Sequence, residues 1–327
     1  MRLFLVWTRC GGTDDLRSAA GKSHFALQLA AMAQLPLSLG GLSGGTIFIS
    51  SEGILSSSRL LTFSHSILSR LSPSEHSDLC KTAWDFLDNV HTVKAQDAET
   101  LDSLLSFGVP AQIEHLHDAA TNGLLLLPSS IPSPSERTSS PHPPLPIKLL
   151  VIDSIGALFR GAHHQSSGGF ISRSKEFGQI GDRLKRLAHV YRLAILVINQ
   201  VSDVFEHAPS FPPSLRPTSS PTRRPHEQHS LPPLLYSRYQ VPHFSGQSPG
   251  MEKQAALGYS WSNIVNARIM LSRTEGGRRR MEVVFGPGVA RGRVEFELEE
   301  EGLRSVGEVV RRAGRESRWE GEGDGDD

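Results

Sequence analysis

Lys148–Ser154, KLLVIDS, decides the fold. Four consecutive apolar residues, Leu149-Leu150-Val151-Ile152, run into a carboxylate, Asp153. A strand with one wet face would alternate; a run with no polar face predicts a central parallel strand covered on both sides by helices. Ala194–Gln200, AILVINQ, repeats the pattern and ends on Asn199 and Gln200. Thr46–Ser50, TIFIS, is short and β-branched, and Asn89–Ala95, NVHTVKA, alternates as a further strand would. Ser23–Ala33, Ala98–Phe107 and Arg173–Tyr191 carry apolar residues at helical spacing. Strands alternating with helices predict right-handed crossovers and an α/β fold with a mostly parallel, twisted sheet flanked by helices. Ile264–Ser272, Arg280–Phe285 and Arg293–Leu298 then read as a closing meander, an antiparallel extension at the C-terminal side.

Proline punctuates this pattern. Of 21 prolines, seven lie in Pro128–Pro146 and ten in Asp203–Gly250. Both segments are also serine-rich and without apolar periodicity, so they read as disordered insertions, 128–146 and 203–250, in one domain spanning 18–306. Residues 307–327 read as a polar, acidic tail. Residues 1–17 show no strand leading into the small-residue loop at Ser18–Ser23, and Met1–Trp7 is too short an apolar run for a signal peptide. No stretch approaches a membrane span, so a soluble, intracellular protein without a membrane partner is expected. Cys10 and Cys80 have no metal-ligand spacing. Lysine plus arginine equal aspartate plus glutamate, 34 against 34. A domain that coats DNA through its overall field would be basic, so any DNA contact must come from a local patch or a partner.

Ser18-Ala19-Ala20-Gly21-Lys22-Ser23 precedes the first helix. Small residues let backbone N–H groups cradle phosphate oxygens, and the helix N-terminus adds partial positive charge. Lys22 would reach the β- and γ-phosphates of a nucleotide, and the Ser23 hydroxyl would hold Mg²⁺. The full pattern wants glycine where Leu16 stands. Three explanations stay open: a chance Gly-Lys-Ser, a degenerate loop that binds nucleotide weakly, or a wrongly joined exon over residues 1–17 ahead of a genuine loop, which the missing strand favours. Asp153, at the carboxyl end of its strand, faces the crevice where such sheets bind ligands and would hold Mg²⁺ directly or through water. Glu52, just past Thr46–Ser50, would orient and deprotonate an attacking water. Gln200 ends its strand where an amide would sense a γ-phosphate and signal to the next loop. Each of these residues has a bland alternative, namely a helix cap, a surface glutamate or a strand-end cap; their order along the chain is what favours the functional reading.

In combination, Ala20–Ser23, Gln28-Leu29-Ala30, Ile49–Gly53, Leu150–Ile155, Val197–Val201, Ala256–Trp261 and Asn266–Arg273 resemble the eukaryotic RecA-like recombinases. With Gln34-Leu35-Pro36 and Gly40-Gly41-Leu42, the chain is more similar to the recombinase paralogues, of the fungal mediator and animal X-ray-repair cross-complementing type. The resemblance implies a RecA-type P-loop ATPase core that takes ATP and Mg²⁺. It implies a nuclear DNA-repair protein acting in homologous recombination and double-strand-break repair. Its implied partners are single-stranded DNA, another paralogue in a hetero-oligomer, and the strand-exchange recombinase that it helps to assemble. It makes Lys22 and Ser23 the phosphate and magnesium contacts, Glu52 the catalytic glutamate, Asp153 the magnesium-site aspartate, Gln200 the γ-phosphate sensor and Arg59 the arginine stacked on adenine. It puts one DNA loop at Gly161–Ser172, between Arg160 and Arg173, and a second after Val201. Slow, DNA-dependent ATP hydrolysis is expected. The alternatives are a scaffold whose nucleotide site has decayed, and a RecA-fold ATPase outside recombination. The Arg223-Arg224 pair reads as solvated linker charge, and Arg278-Arg279-Arg280 as a basic hairpin tip, either an ordinary turn or a backbone-phosphate contact.

Overall fold

A computed structural model describes residues 2–9, 21–79, 82–125, 144–159, 167–203, 253–255, 261, 264–273 and 278–311. In chain order the elements are β1 (Arg2–Arg9), α1 (Lys22–Met32), β2 (Gly45–Ser50), α2 (Ser57–Ser69), α3 (Pro73–Leu79), α4 (Ala83–Asp88) and β3 (Val90–Lys94). Next come α5 (Ala98–Ser103), a π-helical turn at Leu104–Gly108, α6 (Val109–Leu125), β4 (Ile147–Asp153), α7 (Ile155–Leu158), α8 (Ser167–Val190) and β5 (Ala194–Asp203). The chain closes with β6 (Lys253–Ala255), β7 (Ala267–Arg273), β8 (Arg279–Phe285), β9 (Gly292–Glu299) and β10 (Gly302–Arg311).

The strands form one sheet in the order β10-β9-β8-β7-β1-β5-β4-β2-β3, with β6 paired to β5 off this path. From β7 to β3 the pairings are parallel, and from β7 to β10 they are antiparallel. The expected α/β architecture with an antiparallel extension is what the chain adopts.

Alternation along the buried strands sorts the core onto the two faces. Ile47, Ile49, Leu150, Ile152, Ile195 and Val197 pack one way, against the π-turn, α6 and α8. Phe48, Leu149, Val151, Leu196 and Ile198 pack the other way, against α1, α2 and α4. Both faces are dry, so the strands carry no polar alternation. At about 1.5–3 kcal/mol for each fully buried large apolar side chain, this double burial is the main force holding the sheet. α1 lies close on its face because Ala26, Ala30 and Ala31 are fully buried and short.

Three expectations are corrected. Residues 2–9 do form a strand: β1 lies between β5 and β7, parallel to both. The segment read as a loop to Ser172 is helical from Ser167 onward, as the start of α8. The meander has a further strand, β10, reaching Arg311 inside the segment read as tail. Residues 126–143 and 204–252, with most of both proline-rich insertions, Leu16, both cysteines and Arg223-Arg224 lie outside the described residues. Among the described residues, no helix is long and apolar enough to cross a membrane.

Candidate functional site

Parallel strands all end on the same side, and their register says which ends meet. Ser50 pairs with Asp153, Asp153 with Ile198, and Gln200 with Thr8. One row across the sheet therefore ends on Ser50, Asp153 and Ile198. Glu52 and Gln200 stand just beyond that row on either side of Asp153, and α1 starts beside it after β1.

The amino end of α1 is set by Gly21, whose φ of 91° is left-handed and closed to residues with a Cβ except at a cost. A Cβ there would also meet the Leu298 side chain at 3.0 Å. The helix then begins with Lys22, buried at 7 % exposure, and Ser23. The N–H groups of this first turn carry the partial positive charge of a helix start. The Ser23 hydroxyl donates to Asp153 Oδ2 at 2.6 Å, joining residues 130 positions apart.

Asp153 is held above the ordinary aspartate value. Burial is the largest cause, and the Glu52 carboxylate pushes the same way. The Ser23 hydrogen bond and the Lys22 ammonium oppose them. Lys22, Ser23, Glu52 and Asp153 thus sit within electrostatic reach of one another.

The end of β2 is stitched to the end of β4. Ser51 N–H donates to the Asp153 carbonyl at 2.8 Å, and Ser51 Oγ donates to the Ser154 carbonyl at 2.9 Å while accepting from Ser154 N–H at 2.8 Å. Ser50 Oγ donates to the Gly53 carbonyl, closing the turn that carries Glu52. Glu52 itself is exposed, open to water from the crevice.

Arg59 stands in the first turn of α2, capped by Ser56, whose hydroxyl accepts from Arg59 N–H. It lines a cavity of about 420 Å³ with His24, Ser56, Ser58, Thr62, Leu298, Glu299 and Glu300. His24 is half-buried, 6.0 Å from the Phe63 ring, and held below the ordinary histidine value by burial first and then by Arg59 and Arg279. His24, Leu298 and Glu300 escape motif reading because no short pattern links them. Leu303 N–H donates to Gln28 Oε1 at 2.7 Å, fixing the β9–β10 turn to α1.

Of the other predicted residues, Ser18, Ala19, Ala20 and Arg160 lie outside the described residues, as do 161–166 of the first DNA loop. Gln200 is described in its backbone only, within β5. Asn199, beside it, is fully buried. Arg279 and Arg280 belong to β8 and are not a free hairpin tip. Arg278 and Arg280 each pair with Glu295 at 3.4 Å, which favours the ordinary structural reading.

Ser23 and Asp153 offer only hard oxygen donors, which suits Mg²⁺. Among the described residues no cluster of three His, Cys, Asp or Glu side chains could hold a metal. These two side chains therefore fit a cation that brings phosphate oxygens and water for the rest of its shell, as Mg²⁺ on a triphosphate does.

The chain is similar to known proteins. A family model described as Rad51 matches residues 143–217. The chain is 27 % identical over 311 residues to the DNA repair protein XRCC3 homolog of Arabidopsis thaliana, covering 88 % of this chain and 84 % of that protein. It is 25 % identical over 290 residues to the DNA repair protein rhp57 of Schizosaccharomyces pombe, covering 84 % and 67 %. It is 23 % identical over 297 residues to the DNA repair protein RAD51 homolog 2 of Mus musculus, covering 90 % and 69 %.

Proposed function

The chain belongs to the RecA-like recombinase paralogues, and from that premise we propose that it serves homologous recombination and double-strand-break repair as a nucleotide-dependent mediator. It helps the strand-exchange recombinase assemble on single-stranded DNA in the nucleus, bound to another paralogue. The observation that carries this reading is the meeting of Lys22, Ser23, Glu52 and Asp153 at the carboxyl ends of β2 and β4.

In this proposal the N–H groups of Gly21 to Ser23 and the Lys22 ammonium hold the triphosphate. Ser23 Oγ and Asp153 hold Mg²⁺, which when bound neutralises charge developing on the phosphate oxygens. Ser18, Ala19 and Ala20 complete the cradle. Glu52 orients the attacking water and accepts its proton. Gln200 reads the γ-phosphate from β5 and passes its presence to Val201–Asp203, where the second DNA loop begins. Arg59 covers one face of the base with its guanidinium plane. The zero net charge supports DNA binding through local loops and partners over coating by a global field.

The test is Mg²⁺-dependent ATP binding and single-stranded DNA binding by the full chain with its paralogue partner. Lys22→Ala is expected to weaken ATP binding by about 10-fold or more, since it removes charge-assisted hydrogen bonds to phosphate. Unchanged ATP binding and intact repair in that variant would remove the phosphate-loop reading. A decayed scaffold is the second reading, favoured by Leu16 at a glycine position. It predicts no ATP binding by the wild-type chain either.

A further inference from the structure

The cavity beside the phosphate loop has one wall from α2, carrying Arg59, and the opposite wall from the β9–β10 turn. At about 420 Å³ it falls among small-molecule sites, which run from about 300 to 1,000 Å³. Leu298 stands over Gly21 and so points toward α1. Glu299 and Glu300 both line the cavity, but the Glu299 carboxylate already meets Arg304 at 3.4 Å. Among the described residues, neither Glu300 nor Arg59 has an ion-pair partner. An ionised glutamate can only accept hydrogen bonds.

We propose that Glu300 is the base-reading residue of the nucleotide pocket, its carboxylate accepting from the exocyclic amino group of the base while Arg59 covers the ring face. A base that presents an amino edge is accepted, and one that presents a carbonyl oxygen there meets a second acceptor and is rejected. This specificity rests on the nucleotide-site reading above and goes beyond it by naming what selects the base.

The test compares Mg·ATP with Mg·ITP, in which an oxygen replaces the amino group, in competition against a fluorescent triphosphate on the full chain. ATP is expected to bind about 10-fold or more tightly than ITP, the range of a hydrogen bond to a charged group. In Glu300→Ala the ratio should fall to within about 2-fold, whereas Glu299→Ala, which removes a carboxylate already paired with Arg304, should lower it less. Glu300→Gln, which keeps one acceptor oxygen, should fall between. Thermal melting confirms that each variant is folded, and the exposed turn tolerates these changes. Equal binding of ATP and ITP by the wild-type chain, or a preference that survives Glu300→Ala, overturns the proposal and leaves the phosphate site intact. Failure of every triphosphate to bind overturns this proposal together with the function it rests on.

Discussion

Gln28→Ala is expected to loosen the C-terminal hairpin from the nucleotide site. Gln28 Oε1 accepts from Leu303 N–H at 2.7 Å in a partly buried setting, the side-chain hydrogen bond that joins α1 to β10. Gly302, at a φ of 126°, lets the chain turn this closely; a Cβ there would come within 2.9 Å of the same oxygen. Removing the acceptor leaves a partly buried N–H unsatisfied, at a cost of about 1–2 kcal/mol. Alanine recovers a few tenths of a kcal/mol, roughly 0.3, as the better helix former. At about 2–4 °C per kcal/mol for a domain of this size, Tm should fall by about 2–6 °C. Gln28→Glu keeps an acceptor at the same place and should stay near the wild type. Hydrogen exchange at the Leu303 amide should accelerate in the alanine variant alone. ATP affinity should fall with it, because Leu298 and Glu300 ride on the same turn. Equal protection of the Leu303 amide in Gln28→Ala and wild type would refute the argument, as would a Tm loss in Gln28→Glu matching that in Gln28→Ala.

Asp153 predicts a pH dependence with a definite sign. Its folded value is raised, chiefly by burial, above the unfolded one, so its contribution to the stability of the ligand-free fold is fully present below the ordinary aspartate value and is lost as pH rises through the raised one. If Asp153 holds Mg²⁺ as proposed, Mg·ADP binding needs the ionised carboxylate, so its affinity should fall as a titration is repeated from neutral to mildly acidic pH, and the part of this fall due to Asp153 should vanish in Asp153→Asn; an identical fall in that variant would assign it elsewhere. Asn89→Ala should cost about 2–4 kcal/mol in urea unfolding with nucleotide affinity unchanged, because the buried amide donates to the Asp85 carbonyl at 2.8 Å and accepts from Leu145 N–H at 2.8 Å, far from the site. A loss under about 1 kcal/mol would mean that water replaces those bonds.

The parallel strands were legible because burial on both faces removes polar alternation, and runs such as Leu149–Ile152 admit few other readings. β1 has the same character, but the segment after it departs from the usual glycine pattern at Leu16, and an apolar run near a chain start has other meanings; only its seat between β5 and β7 identifies it. β10, GLRSVGEVVR, is an edge strand whose interspersed charges dilute its pattern. The start of α8 was hidden by Gly168-Gly169, residues that disfavour helix on propensity alone. Within the site, Lys22, Ser23, Glu52 and Asp153 could be read because each ends or begins an element with its own signature. His24 and Glu300 could not, since nothing in either local sequence says that β9 folds back over α1.

Topology also separates the two proline-rich insertions by what they can influence. The first leads into β4 at Pro146, whose carbonyl accepts from Gly45 N–H, at the amino ends of β2 and β4. Parallel strands put that edge opposite the carboxyl ends, where Ser23 meets Asp153. The second follows the carboxyl end of β5, which runs past Gln200 to Asp203. Its flanks are held side by side, because Val201 pairs with Ala255 and Asp203 with Lys253. If Gln200 reads the γ-phosphate as proposed, a change there has a short covalent route, through the β5–β6 pair, to the second insertion, whereas no comparable route leads to the first. If nucleotide state controls a contact with DNA or with another protein, the sheet assigns that control to the segment after Asp203, and the segment before Pro146 is left to act independently of it.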